Sequence, residues 1–171
     1  MTVALAWRLN RAGDSDGAIA ALPDPDSAAA FNARGFAFNG RRDYERALAD
    51  LNEAIRRDPG LADGFNNRGY AFNGLRRFDK AITELTDAIG LNPAFADAYN
   101  GRGFAFSGLQ RFGRALLDFD KALRLLPDFA SAYYNRGCAY AALARHDEAA
   151  LDFAAAMRLN PRYEALVPRR G

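Results

Sequence analysis

The sequence predicts an all-α fold made of stacked helix-turn-helix repeats, and three observations lead to it. The dipeptide Arg-Gly recurs four times with a spacing of 34 residues, beginning at Arg34, Arg68, Arg102 and Arg136. A proline recurs with the same spacing, at Pro59, Pro93, Pro127 and Pro161. Between these markers the apolar residues have the spacing of helix faces. A fixed period of this length is typical of architectures in which each helical hairpin buries its apolar faces against its neighbours.

The composition narrows the class of protein. The chain has 171 residues, 50% of them hydrophobic, and a formal net charge of +2, which is ordinary for a globular domain and too small to indicate nucleic acid. A single cysteine, Cys138, and a single histidine, His146, exclude a disulfide framework, a cysteine zinc cluster and any site with two histidine ligands. No apolar run is long enough to span a membrane, and the first ten residues make a poor signal peptide, so we expect a cytoplasmic location, no metal, no cofactor and no enzymatic activity.

The first element is a shortened, degenerate repeat over residues 2–22. Leu5, Ala6 and Leu9 in its first helix follow the apolar pattern of the later repeats, and Ala18 and Ile19 follow it in the second. Pro23 then ends the second helix early, because proline cannot continue a helix. We expect this segment to cap the array, and Asp26 or Ser27 to cap the next helix.

Four full repeats follow, at 28–61, 62–95, 96–129 and 130–163, and each predicts two helices. Numbering the places within a repeat from 1, the first helix carries an aromatic residue at place 4, Gly at place 8, Ala at place 10 and an aromatic residue at place 11. The second helix carries Ala at places 20 and 27 and Leu or Phe at place 24, and the recurring proline at place 32 ends it. A glycine inside a helix costs roughly 1 kcal/mol relative to alanine, so its retention at place 8 predicts a close approach of two helices.

These residues resemble the tetratricopeptide repeat (TPR) family, and the resemblance covers about four-fifths of the chain. It rests on the aromatic residue at place 4, Gly at 8, Ala at 10, the aromatic residue at 11, Ala at 20 and 27 and Pro at 32 of every full repeat. Arg at place 7, where the family commonly has Leu, is a departure. The resemblance implies a right-handed superhelix with a concave groove lined by places 2, 5, 6, 9, 12 and 13 of the first helices. It also implies a scaffold or adaptor that binds a protein or peptide partner.

The groove places are occupied by amides and aromatic rings. The predicted peptide-binding residues are Asn32, Phe36, Asn39, Asn66, Asn67, Tyr70, Asn73, Asn100, Phe104, Ser107, Tyr134 and Asn135. A side-chain amide both donates and accepts, so a row of them could bind an extended peptide backbone while the rings select apolar groups. In the alternative interpretation, the amides hydrogen-bond one another between repeats and the rings pack against the next repeat.

The Arg at place 7 has an acid sixteen residues later in every full repeat. Because a buried arginine without a partner would be costly, we expect four structural ion pairs. They are Arg34–Asp50, Arg68–Glu84, Arg102–Asp118 and Arg136–Asp152. The alternative is that these arginines bind an anionic ligand.

Two further surfaces remain open. The turns inside the repeats carry clustered arginines, among them Arg41, Arg42, Arg76 and Arg77, which could bind phosphates of nucleic acid or lipid, although interspersed acids weaken that field. At the other end, residues 164–171 form a tail in which Pro168 stops any further helix. We therefore expect either that the last helix, with Phe153 and Met157, is poorly covered and self-associates, or that the chain belongs to a longer array.

Overall fold

The predicted all-α fold is confirmed. In a computed structural model, residues 2–167 are described, and they form ten α-helices and a short C-terminal 3₁₀ helix, with no strand among them. The α-helices are α1 (Val3–Arg11), α2 (Ser15–Ala20), α3 (Ala28–Gly40), α4 (Tyr44–Arg57), α5 (Ala62–Gly74), α6 (Phe78–Leu91), α7 (Ala96–Gly108), α8 (Phe112–Leu125), α9 (Ala130–Ala142) and α10 (His146–Leu159). The 3₁₀ helix spans Pro161–Ala165, and Pro168, expected to end a helix, lies outside the described residues.

The helices form two compact units, the first ending at Pro93 and the second beginning at Ala94. In the first unit α1, α3 and α5 are neighbours, and α2, α4 and α6 pack against them as the second helices of the hairpins. In the second unit α7 and α9 are neighbours, with α8 and α10 as their partners and the 3₁₀ helix against α10. Each unit is a short stack of helical hairpins.

The glycine at place 8 allows the two helices of a repeat to touch. A Cβ atom added to Gly35, Gly69, Gly103 or Gly137 would lie 2.6 to 2.8 Å from the side chain at place 24 of the same repeat. Those partners are Leu51, Leu85, Phe119 and Phe153. The alanines at places 20 and 27 are almost completely buried in every full repeat. The small residues therefore set the distance between the helices, and the large residue at place 24 fills the space.

The turn between the two helices uses left-handed backbone at place 15. Arg42, Arg76, Gln110 and Ala144 have φ values of 58 to 61°. In the first full repeat, the amide of Asp43 donates to the carbonyl of Phe38 at 2.9 Å, which closes the end of α3. None of the four is glycine, the residue that favours this conformation.

The segment before the first full repeat is a short hairpin of α1 and α2. Ser27, one of the two predicted candidates, caps α3, since its hydroxyl accepts the amide of Ala30 at 3.3 Å. None of the described helices combines the length and the apolar composition needed to cross a lipid bilayer.

Candidate functional site

Large aromatic side chains at place 9 are exposed on the first helices. Phe36 is 39% exposed and Tyr70 is 57% exposed in the first unit, and Phe104 is 45% exposed in the second. Large apolar side chains left on a surface are typical of places where a protein contacts something else. The rings therefore lie where the groove prediction placed them.

Trp7 extends this series in the first unit, and the sequence interpretation missed it. Its ring lies 5.4 Å from the ring of Phe36, at an angle of 50°. The first hairpin is five residues shorter than the others, so Trp7 precedes Phe36 by 29 residues and falls out of the period of 34. The match of Leu9-Asn10 to Phe38-Asn39 at the same offset was the signal that could have found it.

Most of the amides in the first unit are not exposed, and the expectation that they line an open groove is wrong for them. Asn32, Asn39, Asn67 and Asn73 are 3 to 7% exposed. The Nδ2 atom of Asn39 donates to the backbone carbonyl of Asn67 at 2.8 Å, and the Nδ2 atom of Asn67 donates to Oδ1 of Asn32 at 2.9 Å. These amides join one repeat to the next, because buried polar groups must find partners within the protein.

The same bonds recur elsewhere. Asn10 donates to the carbonyl of Ala33 at 2.9 Å, as Asn39 does to Asn67. In the second unit Asn135 donates to Oδ1 of Asn100 at 3.0 Å, as Asn67 does to Asn32. Ser107 stands at place 12 of its repeat, where the earlier repeats have Asn, and its hydroxyl makes no hydrogen bond within residues 2–167. A repeated polar bond of this kind fixes how neighbouring hairpins align.

Asn66 differs from the other amides of the first unit. It is half-buried, and its side chain makes no hydrogen bond with any residue in the described part of the chain. It lies on one stripe of α5 with Asp63 and Tyr70, three residues after the first and four before the second. Asp63 is exposed and forms no ion pair within residues 2–167. This stripe thus offers a carboxylate, an amide and a ring to a ligand.

Tyr134 is covered by the C-terminal 3₁₀ helix. Its ring lies 5.0 Å from the ring of Tyr163 and 5.8 Å from that of Phe153, and its hydroxyl donates to the carbonyl of Leu166 at 3.3 Å. Phe153 is only 8% exposed, so the expectation that it is poorly covered is wrong. Tyr134 belongs to the packing at this end of the second unit.

The arginine at place 7 lies between an aromatic ring and an acid in every full repeat. Its guanidinium is 5.4 to 6.0 Å from the ring at place 4, which is Phe31, Phe65, Tyr99 or Tyr133. The ion pairs Arg34–Asp50, Arg68–Glu84, Arg102–Asp118 and Arg136–Asp152 have N–O distances of 2.6 to 2.8 Å. The paired carboxylates raise the pKa of Arg34, Arg102 and Arg136 above its ordinary value.

The same arginines also reach the preceding repeat, which the sequence interpretation did not foresee. The Nη1 atom of Arg68 donates to Oδ1 of Asn52 at 2.9 Å, and that of Arg136 donates to Oδ1 of Asp120 at 2.6 Å. Arg34 donates to the carbonyl of Leu22 at 3.0 Å. An arginine suits this place better than the leucine common in the family, because its several donors can serve two repeats at once.

The arginines of the turns are largely paired with acids. Arg41 lies 2.7 Å from Asp16, and Arg77 lies 3.2 Å from Glu45. Arg145 lies 2.6 Å from Glu148. These contacts reduce the positive field that a phosphate ligand would need.

No catalytic or metal centre is formed by the described residues. No group of three or more His, Cys, Asp or Glu side chains within residues 2–167 could hold a metal ion. Surrounding protein atoms raise the pKa of the Cys138 thiol, although a hydrogen bond with Tyr134 opposes the shift, so the reactive thiolate is disfavoured. His146 is exposed, although its place in the repeat predicted an aromatic-like packing role.

Comparisons with known proteins agree with this architecture. Models of the tetratricopeptide repeat family match residues 62–95 and 130–163. The crystal structure of MamA is 26% identical, with a TM-score of 0.71, and covers 95% of this chain and 98% of its own. TTC0263, a thermophilic TPR protein of Thermus thermophilus, is 22% identical with a TM-score of 0.83 and covers 95% of both chains.

A third similar structure was solved with a ligand. The first TPR of Spaghetti (RPAP3), bound to the HSP90 peptide SRMEEVD, is 26% identical with a TM-score of 0.65, and covers 71% of this chain and 96% of its own. No curated protein matches the chain at a significant level. The repeat matches and the shared fold support a general role in protein–protein interaction, on a scaffold that is generally non-catalytic. The chain belongs to the tetratricopeptide repeat family.

Proposed function

We propose that this protein is an adaptor that binds an extended segment of a partner protein on the first helices of its first compact unit. The contact surface consists of Trp7, Phe36, Asn66 and Tyr70, which we call the aromatic face. The observation that supports it most is the exposure of Phe36 and Tyr70 at the same place of consecutive repeats. Apolar surface removed from water by a partner contributes about 25 cal/mol per Å², and rings lose little side-chain entropy when bound.

The chemistry of the face indicates the kind of segment. In the four full repeats no Lys or Arg occupies places 2, 5, 6, 9, 12 or 13, so the face has no cation to pair with the carboxylates of an acidic peptide such as SRMEEVD. The partner is therefore expected to contribute apolar side chains. Of the amides in the first unit, only Asn66 remains for its backbone, since the buried ones are used between repeats.

In the second unit Phe104 occupies the same place and is exposed as well. We propose that it contacts a partner in the same way. Tyr134, by contrast, is already covered by Tyr163, so the proposal does not assign it a contact.

A peptide-display selection against the wild-type protein tests the proposal. The affinity of the selected peptides is then measured for Tyr70→Ala and for Leu117→Ala, a control in which an exposed apolar side chain on a second helix is lost. We expect Tyr70→Ala to lose affinity and Leu117→Ala to retain it. Equal affinity of all three proteins would refute the assignment of the face.

The alternatives have less support. The turn arginines are neutralised by nearby acids, and the burial of Phe153 removes the apolar surface that suggested self-association. Binding that weakens steeply with added salt would instead indicate a phosphate ligand.

A further inference from the structure

From the aromatic face we infer that the partner segment is proline-rich, adopts the polyproline II conformation and carries a basic residue. This inference rests on the proposed function and specifies the ligand of the same site. Three features of the first unit support it: the arrangement of the rings, the stripe of α5, and the charge of the face.

The arrangement of the rings matches the period of a polyproline II helix. Trp7 and Phe36 lean together at 5.4 Å and form one apolar contact site, while Tyr70 forms a second on the neighbouring helix. Packed helices lie about 8–10 Å apart, so equivalent places on α3 and α5 have about that separation. A polyproline II helix advances about 9 Å in each turn of three residues. Apolar groups at positions i and i+3 of such a segment can therefore contact the two sites in turn.

The backbone requirements of such a segment also fit. A polyproline II helix has no internal hydrogen bonds, so its carbonyl groups need an external donor or water. The Asn66 amide lies one helical turn from Tyr70 and has no partner within the described residues. A preformed segment also loses little conformational entropy on binding, which suits a face that offers few hydrogen bonds.

The charge of the face selects a basic residue. Asp63 is exposed, lacks an ion-pair partner within residues 2–167, and precedes Tyr70 by seven residues, or about 10 Å along the helix. A Lys or Arg beside the group that contacts Tyr70 can reach this carboxylate. An acidic segment would meet Asp63 with no cation at the neighbouring groove places to offset the repulsion.

The fluorescence of Trp7, the single tryptophan of the chain, provides a direct readout. Three peptides are titrated: acetylated Pro-Pro-Leu triplets with one arginine, the same peptide with glutamine in place of the arginine, and a version in which Gly and Ser replace the prolines. We expect the arginine peptide to change the fluorescence and to bind at least about tenfold more tightly than the Gly/Ser version. Equal affinity of those two peptides would overturn the polyproline assignment.

Variants test the contacts separately. We expect Tyr70→Ala to weaken binding of both proline peptides by about tenfold or more, as removal of a central aromatic contact does. Asp63→Asn should weaken only the arginine peptide, by several-fold and more at low salt. An unchanged affinity for the arginine peptide in Asp63→Asn would overturn the assignment of the basic residue.

The two levels of the proposal fail in different ways. If the proline peptides do not bind but peptides selected from a library do, and these require Tyr70, the proline inference is wrong while the proposed function stands. If selected peptides bind Tyr70→Ala as well as wild type, the proposed function fails, and the inference fails with it.

Discussion

The glycine at place 8 gives the sharpest test of the packing within a repeat. In Gly69→Ala, the new Cβ would lie 2.6 Å from Cγ of Leu85 and 3.0 and 3.2 Å from its two methyl groups. Leu85 is 1% exposed, and its branch point cannot move aside as the end of a long side chain could. The helices must separate or the leucine must leave its rotamer.

The expected magnitude follows from two opposing effects. Overpacking a buried site costs about 1–3 kcal/mol, and alanine recovers about 1 kcal/mol of helix propensity. Because three atoms of Leu85 are crowded at once, we expect a net loss of about 1–2 kcal/mol in the free energy of unfolding. Gly90→Ala in α6 is the matched control, since nothing lies within 4 Å of its Cβ position. We expect this control to gain about 0.5 kcal/mol.

Urea unfolding followed by circular dichroism measures both variants. Introducing Gly69→Ala into a Leu85→Ala background adds a further check, because the added methyl group then partly fills a cavity and should stabilise that protein. A Gly69→Ala protein as stable as wild type, or one whose loss persists unchanged without the leucine side chain, would refute the packing argument.

Three other predictions concern the turns, a surface ion pair and the buried amides. Ala144→Gly should raise the unfolding free energy by about 0.5–1 kcal/mol, because Ala144 has a φ of 58°, whereas Ala150→Gly inside α10 should lower it by about as much; denaturant midpoints of the two variants check the opposite signs. Hydrogen bonds from Arg56 and Arg57 lower the pKa of Glu53 to about 2. Since its pKa is lower in the folded state, its stabilising contribution is present above pH 4.5 and is lost as the pH falls toward 2, so Glu53→Gln should lose less stability across that window, as NMR titration and unfolding at both ends can show. Asn39→Ala leaves a buried carbonyl without its donor and should cost about 1–3 kcal/mol in urea unfolding, and a loss below 0.5 kcal/mol would contradict that role.

The fold could be predicted because a period of 34 residues repeats every packing requirement four times. The spacing of Gly35 and Leu51, for example, belongs to one hairpin and needs no knowledge of its neighbours. The second role of Arg68 could not be predicted, because Asn52 lies in the preceding repeat and only the stacking brings the two together.

The candidate site was predicted in part, and the rings and amides differ for a physical reason. Helical spacing identifies the stripe to which a side chain belongs, but not whether a neighbouring helix covers that stripe. The ring of Tyr70 extends beyond the contact between first helices and stays exposed, whereas the amide of Asn39 is short and lies in that contact. The burial of Tyr134 depends on Tyr163, in a segment whose sequence shows no helix period.

The central claim is that the rings bind the partner while the buried amides hold the repeats together. The most direct measurement compares Tyr70→Ala with Asn39→Ala, determining for each the unfolding free energy and, by calorimetric titration under conditions where it is fully folded, the affinity for a peptide selected on wild type. We predict that Tyr70→Ala loses affinity at nearly unchanged stability and that Asn39→Ala loses stability at nearly unchanged affinity. The opposite pattern, with binding lost in Asn39→Ala and retained in Tyr70→Ala, would contradict the account.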